Sequence, residues 1–219
     1  MSYIWKNPGL VAALLWEHLV MAGTALLIST ALALLLSVLV YHARRWRGVV
    51  MGVLGIFYTI PSIVLIVLLV PVFGLNPTSV IIALIIYTQV ILVRNFTAGL
   101  DAVPAPVLDA ARGMGMSAWQ MWWRVQIPLA LPVMIAGARI AVVVAVAIAT
   151  IGAKFGAGGL GTLLFQGIAQ AGRYDKIWAG ALSVAALSLA LNQGLLTLER
   201  VCDPTRRSAG HAERACSGS

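Results

Sequence analysis

The sequence predicts an all-α membrane protein, a polytopic bundle of five transmembrane helices with one large loop on the cytoplasmic side. The first observation is composition: 61% of the 219 residues are hydrophobic and 10% are charged, whereas a soluble domain is about 45–50% apolar and about 25% charged. The second is a set of uncharged stretches long enough to cross a bilayer. The third is an uneven distribution of basic residues between alternate loops. These observations exclude a soluble enzyme, a disordered tail protein and a secreted disulfide scaffold.

Five stretches meet the requirement of about 20 apolar residues for crossing the hydrocarbon core. The predicted spans are residues 19–41, 49–70, 78–98, 129–151 and 177–198. Pro71, Pro77 and the residues between them supply the turn that separates the second span from the third. The stretch 155–172 contains six glycines and is interpreted as a re-entrant or surface segment, not as a sixth span.

The two ends of the chain are predicted to lie outside the bundle. Residues 1–16 form an N-terminal segment on the outer side, and the first eighteen residues lack the basic region and cleavage site of a removable signal peptide. Residues 200–219 form a polar cytoplasmic tail that we expect to be disordered. The two cysteines, Cys202 and Cys216, have no partner at metal-ligand spacing, so we predict free thiols and no metal site.

The basic residues set the predicted orientation. Nine lysines and arginines lie in the segments that follow the first, third and fifth spans, and four lie in the alternate segments. Because basic loops favour the cytoplasmic side, the N-terminus is predicted to face out and the C-terminus in. The net charge of +8 therefore reports membrane topology, and no basic stripe interleaved with aromatic residues indicates nucleic-acid binding.

The long inner loop, residues 101–127, is predicted to hold two short helices. Pro104 and Pro106 suit the start of the first helix. Gly113 and Gly115 break it, and Ser117 can cap the second helix. Two interpretations remain open from the residues alone: insertion into a groove of another protein, or an amphipathic loop that lies on the lipid headgroups.

A motif in this loop resembles the EAA signature of ABC importer permeases. Asp109-Ala110-Ala111, Gly115 and the run Val125 to Pro128 match its spacing without gaps. Further segments resemble the osmoprotectant branch of that family (glycine betaine, carnitine, choline), and the resemblance covers about residues 17–199. These segments are Tyr58–Ser62, Arg94-Asn95 followed by Gly99-Leu100, Ala110–Met116, Leu129–Pro132, Ala136–Arg139 and Gly156–Gly161.

The resemblance implies a type I importer permease whose loop docks on an ATP-hydrolysing subunit. The implied coupling residues are Asp109, Ala110, Ala111, Arg112, Gly115, Met116, Val125 and Pro128. The small alanines would let the helix approach its partner closely, and Gly115 would supply a positive φ at the joint. Two departures stand out, because Asp109 replaces the usual glutamate and Ile91 replaces a proline before Arg94.

The same resemblance implies partners and location. We expect two ATP-binding subunits that carry ATP and Mg, an extracytoplasmic substrate-binding protein, a second permease and the surrounding lipid of a bacterial cytoplasmic membrane. The chain itself is expected to bind no cofactor and to catalyse no reaction, and it contains no P-loop motif.

Four residues in the predicted spans are candidates for lining a transport pathway: Tyr58, Pro61, Ser62 and Tyr87. A proline in mid-span breaks a helix, and broken helices often line such pathways. A tyrosine ring can attract a quaternary ammonium group. Ordinary helix packing is the alternative explanation for all four.

Two other features are predicted to be structural. Arg139 lies inside the fourth span, and we expect it to pack on the inner side against the coupling loop. The glycines Gly156, Gly158, Gly159 and Gly161 are expected to form a tight outer-side turn. Their spacing also fits a dinucleotide fingerprint, but no β-strand precedes them, so we reject that interpretation.

Three alternative functions remain at this point. The nearest is an ABC permease for methionine or another amino acid. The second is an ATP-independent channel, which would leave the motif in residues 109–128 unexplained. The third is a membrane-embedded enzyme, which would need ionisable groups facing each other within the spans.

Overall fold

The computed structural model describes residues 2–170 and 172–202, which form ten α-helices and no β-strand. Four continuous helical runs are long and apolar enough to cross a membrane, and a bent pair of helices makes a fifth. Residues 200–202 of the predicted disordered tail belong to the last helix, so the predicted start of the tail is wrong; residues 203–219, with Cys216, lie outside the described residues. The helices are α1 (Ser2–Lys6), α2 (Pro8–His42), α3 (Arg47–Thr59), α4 (Ser62–Phe73), α5 (Pro77–Asp101), α6 (Ala105–Gly113), α7 (Ala118–Met121), α8 (Ile127–Gly152), α9 (Gly161–Ala169) and α10 (Tyr174–Cys202).

Helix α5 is the centre of the bundle and packs between α2 and α8. Small residues allow α5 and α8 to approach closely. A Cβ atom on Gly99 would lie 2.9 Å from the carbonyl oxygen of Ala130, and one on Gly137 would overlap Asn95. In lipid, helices associate through such close packing, because no hydrophobic force drives them together.

The first span is longer than predicted. Helix α2 begins at Pro8 and has 35 residues, so it extends over about 52 Å, more than the hydrocarbon thickness of about 30 Å. The predicted span, residues 19–41, lies within this helix, and the helix continues for eleven residues before it. The N-terminal segment also packs into the bundle, because Tyr3 joins a buried cluster with Leu160 and Ala179.

The second predicted span is broken in two. Helices α3 and α4 meet at a bend of 91°, at the mid-span proline where the sequence predicted that a helix could break. Pro61 has no N–H group for a helical hydrogen bond and forces the preceding residue out of the helical region. Ile60 accordingly has an extended backbone with ψ of 124°.

The turn before α5 is shorter than predicted. Pro71 lies inside α4 and not in the turn, because the helix continues to Phe73. Gly74, with φ of +85°, ends the helix. The Asn76 side chain then caps α5 by accepting a hydrogen bond from the Thr78 amide at 2.9 Å.

The glycine-rich stretch does not cross the membrane. It forms a turn followed by α9, which has nine residues and extends over only about 13 Å. Helix α9 packs against α10. The interpretation of this stretch as something other than a sixth span agrees with the structure.

Candidate functional site

The first short helix of the coupling loop, α6, projects from the bundle. Pro104 lies at its N-cap, as expected for a residue with no N–H group to satisfy. Asp109 and Arg112 form an ion pair at 2.7 Å, and their side chains are 69% and 61% exposed. The pair lies within one helix and in solvent, so it contributes little to stability and remains accessible to another protein.

The joint between the two short helices is at Gly115. Its φ is +76° and no atom lies near the position that a Cβ would take. Glycine is therefore required here by backbone conformation and not by crowding. The next helix, α7, begins with a capping box in which the Ser117 hydroxyl and the Gln120 side chain bind each other's backbone amides, at 3.3 and 3.0 Å.

Helix α7 was predicted to be a separate short helix. In the structure it continues into the fourth span. A π-helical turn over Trp122–Gln126 joins it to α8, and the helical run extends from residue 118 to residue 155. Pro128 has no N–H group, so the carbonyl of Arg124 lacks its usual helical donor, and a π turn accommodates this mismatch. A force on α7 is thus transmitted directly to a transmembrane helix.

Side-chain contacts attach the continuous helix α7–α8, which we call the lever, to the end of α2. The Gln126 amide donates a hydrogen bond to the Tyr41 hydroxyl. The ring of Trp122 lies 5.9 Å from that of Tyr41 and 5.6 Å from that of His42, between centroids. At the base of the loop, Asp101 forms ion pairs with Arg44 and Arg47. The end of the first span and the start of the fourth are therefore in direct contact beside the coupling loop.

Not all predicted coupling residues face outward. Ala110 is exposed, as a docking residue must be. Ala111 is 1% exposed and packs into the chain's own core, so its predicted contact with a partner is wrong. Met116, Val125 and Pro128 are half-buried, so each is only partly available to a partner.

The four pathway candidates lie together at the break in the second span. Pro61 is the N-cap of α4 and Ser62 is its first residue. The rings of Tyr58 and Tyr87 are 5.7 Å apart between centroids. Tyr58 is 48% exposed, whereas Tyr87 is 8% exposed and belongs to the core. The bend therefore presents one accessible aromatic ring that a second ring supports from behind.

The predicted glycine turn, Gly156 to Gly161, lies against α2. Gly156, Gly158 and Gly159 have φ values of +78°, +74° and +77°. The amide of Gly159 donates a hydrogen bond to the Glu17 carboxylate at 2.9 Å, and a Cβ on Gly159 would lie 3.0 Å from the His18 ring. Glu17 and His18 are not among the predicted site residues, although a carboxylate beside a tryptophan at the edge of an apolar run marks the position in the sequence.

Arg139 makes its polar contacts with α10 and not with the coupling loop, so the predicted packing partner is wrong, while its predicted place on the inner side stays a prediction. Its guanidinium donates to Glu199 at 2.7 Å and to Asn192 at 3.3 Å, both on α10. Arg139 is twelve residues from the start of α8, about 18 Å along the helix axis. At that depth α10 is the neighbouring element, and the Glu199 carboxylate compensates the half-buried charge of Arg139.

Comparison with known proteins agrees with these features. Residues 13–208 match the profile of a family described as the binding-protein-dependent transport system inner membrane component. The chain is 31% identical to the glycine betaine/carnitine/choline transport system permease protein OpuCD of Bacillus subtilis, over 96% of this chain and 92% of that protein. It is 35% identical to the osmoprotectant import permease protein OsmW of Salmonella typhimurium, over 92% and 96% of the two chains.

A solved structure shares the fold. One chain of the MetNI methionine ABC transporter, in an inward-facing conformation, superposes with a TM-score of 0.79 at 23% identity, and the match covers 90% of this chain and 98% of that one. At this identity the similarity establishes the architecture alone. The spans, the jointed loop and the family match over most of the sequence lead to one conclusion: this chain is a multi-pass, non-catalytic permease component of the inner membrane and belongs to the family of binding-protein-dependent transport system inner membrane components.

Proposed function

We propose that this chain is the permease subunit of an ATP-driven importer of quaternary-ammonium osmoprotectants such as glycine betaine, carnitine or choline. Relatives at 30–35% identity over more than nine tenths of the chain are named as permeases for such solutes. ATP and Mg would bind to two separate ATP-binding subunits, and no cofactor would bind to this chain. An extracytoplasmic binding protein would deliver the solute.

The observation that carries the proposal is the continuity of the coupling loop with the transmembrane bundle. Helix α6 projects into solvent, Gly115 sets its angle, and α7 runs into α8 without a break. A loop lying on headgroups would not need such a rigid connection. The arrangement therefore favours the docking interpretation over the lipid-surface interpretation that the sequence left open.

The mechanism follows from this connection. ATP binding would close the two ATPase subunits and displace the docked α6. Because α7 is one helix with α8, and Trp122 and Gln126 hold the end of α2, both spans would tilt as rigid bodies. A second permease would complete the pathway, because this bundle leaves helix α3 without a buried residue. The coupling loop and C-terminus would face the cytoplasm and the N-terminus the outside.

The accessible ring of Tyr58 is the proposed contact for the solute at the bend. A quaternary ammonium group is attracted to the face of an aromatic ring. A transport pathway needs only a weak contact here, because the solute must also leave. The backbone break at Pro61 provides polar groups beside the ring, as in other transport proteins with interrupted helices.

Tyr58 gives a prediction. Changing Tyr58 to leucine should raise the KM for choline uptake by about twofold to thirtyfold, since a cation–π contact is worth about 0.5–2 kcal/mol. Changing it to phenylalanine should preserve uptake, because the ring remains. Uptake by proteoliposomes measures both variants, and equal effects of leucine and phenylalanine would contradict a role for the ring.

The proposed function is tested by ATP hydrolysis in the reconstituted complex, with its ATPase subunits and binding protein. Glycine betaine, carnitine or choline should stimulate hydrolysis several-fold, whereas methionine and other amino acids should not. Stimulation by methionine alone would establish the alternative amino-acid permease. Solute flux through the permease without ATPase subunits would establish a channel and overturn the proposal.

A further inference from the structure

A cavity of about 470 Å³ opens between α2, the start of α5 and the glycine turn. Its walls include the side chains of Trp16, Glu17, Met21, Pro77 and Ile81. Glu17 and Tyr41 are 24 residues apart on one helix, about 36 Å along its axis. Because Tyr41 contacts the coupling loop, the cavity lies at the opposite end of the bundle, which is the outer end in the proposed orientation.

The Glu17 carboxylate is held in a defined position. One of its oxygens accepts the hydrogen bond from the Gly159 amide at 2.9 Å. A Cβ on Gly158 would lie 2.5 Å from this same oxygen, so a larger residue there would displace the carboxylate. The residue is exposed, and within residues 2–170 and 172–202 it forms no ion pair.

Such a charge is costly against lipid, and a carboxylate has more lone pairs than one amide can satisfy. Glu17 therefore presents unused negative charge to the cavity. The rest of the wall is mainly apolar, with Met21, Pro77 and Ile81 beside it. Trp16 adds an indole ring that is 69% exposed.

This combination selects the chemical class of the ligand. A metal ion would need several oxygen ligands, but Glu17 is the one carboxylate among the lining residues. A primary ammonium group would need acceptors for three N–H donors. A quaternary ammonium group has positive charge, methyl groups and no donor, and it matches a carboxylate, an indole face and an apolar wall.

We propose that this cavity is an entry site that receives the quaternary ammonium group of the solute before it reaches the bend at Pro61. The proposal rests on the proposed function for its place in transport, but the binding chemistry stands independently. Glu17 acts as the counter-charge and Trp16 as the aromatic contact. Glu17 attracts the positive charge of a cation such as choline. It attracts glycine betaine less, because the carboxylate of that solute is repelled by Glu17.

The test uses Glu17→Gln in the complete importer, with uptake of choline and glycine betaine measured in proteoliposomes. Glutamine retains the oxygen that accepts from Gly159, so the turn is preserved while the charge is lost. We expect the KM for choline to rise about tenfold and that for glycine betaine to change by less than about twofold. Trp16→Leu should raise the KM for both solutes, because the aromatic contact is lost.

A second measurement separates this site from the proposed function. Saturation-transfer NMR of tetramethylammonium with the purified complex, without ATP, should show weaker methyl saturation in Glu17→Gln than in the unmodified protein. Equal saturation, or equal loss of choline and betaine uptake, would overturn the entry site. Glu17-dependent saturation in a complex that imports neither solute would retain the entry site and overturn the proposed function.

Discussion

Replacing Gly115 with leucine is expected to weaken association with the ATPase subunits by about fivefold to thirtyfold while membrane insertion stays intact. A non-glycine residue at φ of +76° is strained by about 1–2 kcal/mol, and the joint relieves this strain by changing the angle between α6 and α7. No neighbouring atom lies near the new Cβ, so the bundle itself is not disturbed. A pull-down with the ATPase subunit and a transport assay measure the result.

Asparagine at the same position is the matched control. Its side chain is similar in shape to leucine but adopts the left-handed region several times more readily than most residues. We therefore expect Gly115→Asn to retain most ATPase binding. Normal binding and normal transport by Gly115→Leu would refute the docking model, and equal loss in both variants would show that side-chain size, not the backbone angle, matters.

The second large effect is expected at Gly156. Changing it to alanine imposes a residue with Cβ on a φ of +78° and places that Cβ 2.7 Å from the carbonyl oxygen of Leu75. The backbone of the Gly74–Asn76 turn cannot easily retreat, since Asn76 caps α5. We expect destabilisation of about 1–2 kcal/mol from the backbone conformation and a further 1–3 kcal/mol from overpacking.

Gly172 provides the control for this prediction. Its φ is +94°, but nothing lies within 4 Å of its Cβ position. Gly172→Ala should therefore show the backbone cost alone, and the midpoint of thermal unfolding in detergent should fall more for Gly156→Ala. Equal midpoints in the two variants would mean that the contact between the glycine turn and Leu75 does not hold the outer end together.

Hydropathy and proline positions were enough to predict the spans approximately, because crossing lipid is a local requirement on composition. Hydropathy and proline positions did not predict the extent of a helix where a polar residue in it contacts a partner far away in the sequence. The predicted first span begins after Glu17 and His18, yet both residues lie within α2. The glycine turn, more than 140 residues later, contacts both of them: the Gly159 amide donates a hydrogen bond to Glu17, and Gly159 packs against His18. The bend at Pro61 was predicted only as a possibility, since proline removes a hydrogen bond without setting an angle.

The coupling loop was also predictable only in part. The two glycines and the serine predicted a jointed pair of short helices, and the structure has that joint at Gly115 and that cap at Ser117. The direction of each side chain was not predictable. Ala110 and Ala111 are chemically identical, but one is exposed and the other buried, because burial depends on which face of α6 meets the bundle.

The amino-acid sequence by itself determined that this chain is a helical membrane protein, which loops are basic, and where a glycine joint interrupts the coupling loop. These properties depend on local composition and on backbone conformations that few residues can adopt. Only the tertiary structure decided that α7 and α8 form one lever, that Arg139 pairs with Glu199, and that Glu17 meets Gly159. Those contacts join residues up to 142 positions apart, and helix packing, which sums many weak contacts over whole surfaces, sets them.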